Sequence, residues 1–181
     1  ILNPKKGYIA TANNKTINDF PYYISGLWAD PSRADQINYR LDTMKSATVE
    51  DMMSMQLDQT SQFAKDILPY ILETEEDKES KHVKRAFQFL KTWDFVEDVD
   101  SEAALVFNVI VKNLVFNLYG DEISLLGDSY LEAFSGINYL ITRRLREDIK
   151  EGKSTWVDDV RTIDKREEIR EIIKSSVLDA I

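Results

Sequence analysis

Ala103–Leu118 is the stretch that most restricts what this chain can become. Leu105, Phe107, Val111, Leu114 and Leu118 recur so that a helix here is apolar around much of its circumference. Such a helix has to be surrounded by others, so the segment predicts a central buried helix. Asn108, Lys112 and Asn113 interrupt it, and as a run it is too short to span a membrane. Gly120 is the expected terminator.

The rest of the chain supplies helices to surround it. Pro31-Ser32 is a plausible start for a helix carrying Ile37, Leu41 and Met44. Thr48 and Asp51 resemble a capping box ahead of Val49, Met52, Met53 and Met55, a patch that reads as adaptable core. Phe63, Ala64, Ile67 and Leu68 form another apolar face, which Pro69 should kink or break. Glu73–Ser80 is a charged linker. Val83, Ala86, Phe87, Leu90 and Trp93 then mark one stripe of a helix from about Ser80 to Trp93. After Gly127-Asp128-Ser129, a helix with Tyr130, Leu131, Phe134, Ile137, Leu140, Ile141 and Leu145 inward ends on Arg143-Arg144-Leu145-Arg146, the charge a helix C-terminus prefers. A last helix runs over Arg166–Ala180. The fold class is mainly α, a multi-helix segment with a short β element at its N-terminus.

Composition excludes several functions. The formal net charge is −9, which argues against nucleic acid or an anionic membrane surface as partner. There is no cysteine, so disulfides, thiolate metal sites and a Cys nucleophile are ruled out. His82 is the one histidine and follows Lys81 away from the apolar stripe, so no His-based triad or His-rich metal site can be built. Glu97, Glu102, Asp121 and Glu122 read as carboxylates serving helix ends. The opening Ile-Leu-Asn-Pro has no initiator Met, and the chain is expected to be a segment of a longer protein.

The N-terminal stretch is different in kind. Asn3–Gly7 is turn chemistry, with Gly7 expected to take the positive φ. Tyr8–Ala12 reads as a short strand ending at Asn13-Asn14. Residues 14–32 are an irregular connection rich in aromatics, Phe20, Tyr22, Tyr23 and Trp28. These could line an acyl pocket, but the simpler expectation is that they pin the loop to the helical body. Asn13 has two readings from the residues alone. It could be a strand terminator bonded to its own backbone, or a fixed neutral donor aimed at a developing oxyanion. Strand alternation would turn Asn14 to the other face.

Asn-Pro-x-x-Gly-Tyr-Ile-x-x-x-Asn-Asn over residues 3–14, then Asp19-Phe20-Pro21, Leu27-Trp28 and Arg33-Ala34-Asp35-Gln36-Ile37, resembles the penicillin acylase (penicillin amidase) family of N-terminal nucleophile hydrolases. The likeness is to the middle of the large catalytic subunit. It implies that residues 1–32 join an αββα catalytic core and that 33–181 form a helical domain. It implies amide hydrolysis through an acyl-enzyme, with Asn13 in the oxyanion hole and Arg33 supporting it. Arg33 could equally be a surface residue in a helix's first turn. The family's nucleophile is an N-terminal Ser, Thr or Cys, whereas residue 1 is Ile, so this segment alone is expected to be inactive. The implied partners are the rest of the same precursor, including its upstream subunit, and a small-molecule amide substrate, which for this family includes antibiotics. Maturation by autoproteolysis of a zymogen, and a periplasmic or extracellular location, come with the resemblance. No cofactor or metal is assigned to this segment. Calcium belongs to the parent enzyme if anywhere, and Asp19 is not given the role of its ligand. The rival reading is an acidic helical protein-interaction module without catalysis.

Overall fold

The computed structural model describes residues 2–76, 80–135 and 138–181. Eight α-helices are placed among them: α1 Ser32–Thr43, α2 Val49–Gln56, α3 Gln62–Leu72, α4 Lys81–Lys91, α5 Glu102–Leu125, α6 Asp128–Ser135, α7 Asn138–Glu151 and α8 Ile169–Asp179. A 3-10 turn lies at Thr155–Val157. The mainly helical class is as expected. The short β element is not found: among the described residues there is no named strand, only an isolated antiparallel bridge between Thr60 and Val96. Tyr8–Ala12 has no neighbouring strand among these residues, and a strand without a partner has nothing to satisfy its backbone.

α5 is the centre. Phe107, Ile110, Leu114 and Leu118 are essentially without solvent contact, and the helix packs against α8, α4, α6 and the 3-10 turn. Ser101 caps it, its hydroxyl accepting from the Ala104 N–H at 3.2 Å. The helix does not end at Gly120. It runs on to Leu125, because Leu118, Tyr119 and Asp121 are all buried. Their packing outweighs a glycine penalty of about 1 kcal/mol. The left-handed stop comes instead at Gly127, φ +108°. At 24 residues α5 is long and apolar enough to cross a bilayer by length and composition, against the expectation from the shorter apolar run. In this structure 44% of its most apolar window is buried against the neighbouring helices.

Packing overrides local rules elsewhere too. Pro69 neither ends nor splits α3, which continues through it to Leu72. It forfeits one backbone bond close to the helix end, where Ile67, Leu68 and Ile71 are fully enclosed. The capping box of Thr48 and Asp51 forms as expected, but the methionines behind it are not core. No α2 residue is buried, and Met53 and Val49 are largely exposed. The helix expected from Asp128 to Arg146 is two elements, α6 and α7. Ile137 and the side chain of Leu140, both expected to face inward, lie outside the described residues, as do 77–79 of the charged linker.

α7 delivers two polar clasps as well as the buried Leu145 and Ile149. Asp148 is fully enclosed, accepting the Tyr119 hydroxyl at 2.8 Å and Arg144 Nε at 2.9 Å. Arg146 reaches the start of α1.

Asp121 and Glu122, read as helix-end carboxylates, instead sit inside α5, and Asp121 anchors the loop before α8, its Oδ2 accepting from the Val160 N–H at 2.8 Å. Burial first, then a hydrogen bond with Asp121, push the Glu122 carboxyl up to about 7. The unfolded side chain ionises near 4.5, so the folded state holds the extra proton between these values. Stability from this group is greatest below pH 4.5 and falls as pH rises to about 7. Glu122→Gln is expected to flatten that part of a pH series of thermal melts. Burial of α5 gives a second test by denaturant titration. Leu114→Ala is expected to cost about 2–5 kcal/mol, and the exposed Leu105→Ala less than about 0.5 kcal/mol.

Candidate functional site

The turn that opens the chain is in place: the Gly7 N–H donates to the Pro4 carbonyl at 2.9 Å, with Gly7 at φ +79°. The Tyr8 hydroxyl donates to Asp42 Oδ1 at 2.6 Å, and Lys6 pairs with the same carboxylate at 3.5 Å, tying the segment to α1. Ala12 is buried, and Asn13 follows with φ +62°. That left-handed turn costs most residues about 1–2 kcal/mol, and Asn is one of the few that adopts it routinely. It also replaces the strand alternation expected for the pair.

The two asparagines differ sharply. Asn14 Oδ1 accepts from the Ala12 N–H at 3.1 Å, and its Nδ2 donates to the Lys15 carbonyl at 3.3 Å. Asn14, rather than Asn13, is the residue bonded to its own local backbone. The Asn13 side chain is exposed and makes no hydrogen bond among the described residues, while its carbonyl accepts from the Ala29 N–H at 3.0 Å. That bond closes the base of the 14–28 loop. Three aromatics of the loop, Phe20, Tyr22 and Tyr23, are exposed and do not pin it to the helices, whereas Trp28 is half-buried. They satisfy one another and local backbone instead, Phe20 stacking edge-on with Tyr22 and the Tyr23 hydroxyl accepting from the Gly26 N–H at 2.8 Å.

Arg33 is exposed on the first turn of α1 and has no ion-pair partner among the described residues. It does not hydrogen-bond Asn13. With Gln36, Met55, Gln56, Asp58 and Thr60 it borders a cleft of about 260 Å³. Sequence reasoning missed Asp58, the charged centre of that cleft. It accepts from Gln36 Nε2 at 2.7 Å, Arg40 Nη1 at 2.8 Å and the Thr60 N–H at 2.9 Å. Burial pushes its carboxyl up, but the hydrogen bonds from Thr60, Gln36 and Arg40 overcome that and hold it far below the usual carboxylate range. Gln62 in turn donates to Gln36. No motif marks Asp58; only its fold neighbours reveal it. A larger apolar pocket of about 390 Å³ between α5, α6 and α7 involves neither Asn13 nor Arg33.

Among the described residues no group of three or more His, Cys, Asp or Glu side chains could hold a metal ion.

This is a helical body carrying an N-terminal strap whose Asn13 side chain is exposed. The penicillin amidase family model covers residues 1–181, the whole chain, and the protein belongs to that family. A search of curated proteins found no match.

The Asp58 network yields a pH test. A carboxylate lowered by folding contributes stability above its unfolded value near 3.8 and loses it as pH falls further. Asp58→Asn is expected to cost about 1.5–3 kcal/mol at neutral pH, the range for hydrogen bonds to a charged group. The gap from the parent protein should close in melts taken progressively below pH 3.8.

Proposed function

We propose that this chain contributes the oxyanion-hole and pocket residues of a penicillin amidase-type amide hydrolase, with the nucleophile supplied by sequence outside these residues. In that reaction a serine, threonine or cysteine at a chain N-terminus attacks the amide carbonyl, and its own α-amine takes the proton. The amine leaves, an acyl-enzyme remains, and water releases the acid. Negative charge develops on the former carbonyl oxygen, and Asn13 donates to it. Arg33 supports that geometry from the rim of the neighbouring cleft.

One observation carries this reading. Asn13 spends its carbonyl on the Ala29 bond and holds its side-chain amide outward from a left-handed turn that few residues besides Gly and Asn adopt, with no partner among the described residues. A neutral amide cannot titrate and needs no reorganisation when the charge appears. The exposed Ile9, Tyr22, Tyr23 and Leu27 fit a strap that docks on the rest of the same precursor. There Tyr8–Ala12 finds the strand partner it lacks here, in an αββα core, so that residues 1–32 belong to that core and 33–181 to a helical domain. A zymogen matured by autoproteolysis, and a periplasmic or extracellular location, accompany that assignment. So does inactivity of the segment by itself. The substrate is a small-molecule amide, β-lactam antibiotics among the candidates.

Alanine is a poor probe at φ +62° because it adds backbone strain. Asn13→Gly keeps the turn and removes only the amide. In the complete enzyme it is expected to lower kcat by roughly 10²–10³, about 2.7–4 kcal/mol of barrier, with KM little changed. Steady-state kinetics on a phenylacetyl or fatty-acyl amide reads this out. Full activity in Asn13→Gly would remove Asn13 from the oxyanion hole, and no hydrolysis by the complete protein would leave the acidic helical interaction module as the better account.

A further inference from the structure

The start of α1 is held from α7, far away in sequence. Arg146 has a side chain only 9% exposed. Its Nη2 donates to Ser32 Oγ at 2.7 Å and lies 3.0 Å from Asp66 Oδ2. Nη1 is 3.7 Å from Asp35, and Nε faces Asp30 Oδ2 at 3.6 Å. Asp30 closes the ring through its other oxygen, which accepts from the Ser32 N–H at 2.9 Å and from the Ser32 hydroxyl. Asp66 is also paired with Lys150 at 2.8 Å.

Three carboxylates around one enclosed guanidinium exceed what neutralising it requires. Two of them, with Ser32, lie on the short segment 30–35. Arg146 Nε and Asp30 Oδ2 are both buried without a hydrogen-bond partner, yet they face each other. They form a matched donor and acceptor standing beyond the charge-assisted contact distance of about 2.7–2.9 Å. The ring thus gathers the backbone of 30–32 under a planar fork that Lys could not reproduce.

What hangs from this segment gives the ring a use. Asp30 follows Ala29, whose N–H bonds the Asn13 carbonyl. Ser32 precedes Arg33. The two residues assigned to the oxyanion site therefore depart from the two ends of the segment that Arg146 holds.

We propose that Arg146 is a positioning residue for this site: through Asp30 and Ser32 it fixes the backbone that aims Asn13 and Arg33. The proposal rests on the reading of Asn13 as the oxyanion donor. It separates Arg146 from the other buried clasp of α7, the Arg144–Asp148–Tyr119 contact, which touches neither end of the strap.

The test uses the complete enzyme and the variants Arg146→Met, Arg146→Lys and Asp30→Asn, with Lys150→Met as the control that loses an Asp66 contact but none to Asp30 or Ser32. Hydrogen exchange at the Ala29 amide is expected to rise about tenfold or more in Arg146→Met, the equivalent of one hydrogen bond to a charged group, while α5 amides are unchanged. The kcat is expected to fall about 10²-fold with KM nearly constant, as small misplacements of a catalytic group do. Arg146→Lys and Asp30→Asn should fall part of the way, which keeps the test usable if Arg146→Met does not fold, and Lys150→Met should keep kcat. In an Asn13→Gly background, Arg146→Met should cost far less kcat than it does alone, because the donor it misplaces is already gone. Unchanged exchange at Ala29, equal acceleration across α5, or losses that multiply in the double variant would each overturn the proposal alone. Full kcat in Asn13→Gly would overturn the oxyanion reading, and the positioning role with it.

Discussion

Everything in this molecule leans on one apolar burial, that of α5 among its neighbours. Phe107, Ile110, Leu114 and Leu118 meet α4 on one side and α8 on another. Trp93, in the turn after α4, lays its ring 5.3 Å from Phe107 and donates its indole N–H to the Val96 carbonyl. That places the 94–97 turn where Phe95 accepts from the Ser61 N–H and Glu97 donates to the Gln59 carbonyl. α3 is then capped and set against both α1 and α7. The cleft beside Arg33 therefore inherits its walls from a hydrophobic contact on another side of the body. Hydrophobic burial has no direction of its own. The hydrogen bonds of this turn supply it.

α7 shows how polar groups complete the arrangement. A buried charge is tolerated only when it is met by an opposite charge and its hydrogen-bonding capacity is filled. Asp148 meets both conditions, taking the fork of Arg144 and the hydroxyl of Tyr119; burial and this bond push the Tyr119 phenol far above its usual range. Arg146 meets the first condition generously and the second incompletely. The contrast lies on one helix, within one turn. It marks the first clasp as a support of the core and the second as the joint between core and strap.

Periodicity made the helical body legible. The stripe through Val83, Phe87 and Leu90 and the apolar girth of α5 both predict what they become, because burial is the dominant force and it follows spacing. The ends of elements were less legible. Gly120 and Pro69 carry strong local preferences, yet each lies among buried neighbours whose packing outweighs about 1–3 kcal/mol of propensity. The methionines of α2 had the right chemistry for a core and no second layer to cover them. The N-terminal motif singles out Asn13 as a candidate, but its left-handed backbone is not legible there, since a strand reading assigns alternation where a single positive φ reverses it. Asp58 and Arg146 had no signature at all. Apart from Thr60 on Asp58, their partners lie 18 or more positions away, as with Arg40 on Asp58 and Ser32 on Arg146, and such pairings exist only after folding.

The hydrogen bond between Ala29 and Asn13 ties off the loop between them. A loop closed at its base transmits little of its own variation to the rest of the chain. The entropy of closing it grows only slowly with length, about 0.6 kcal/mol for each doubling. Tyr22, Tyr23 and Leu27 can therefore be exchanged, or the loop lengthened or trimmed, while the amide at its neck stays where the helices hold it. That gives selection a part to vary and a part to leave alone: the surface of the loop can change from one lineage to the next without its neck having to be rebuilt.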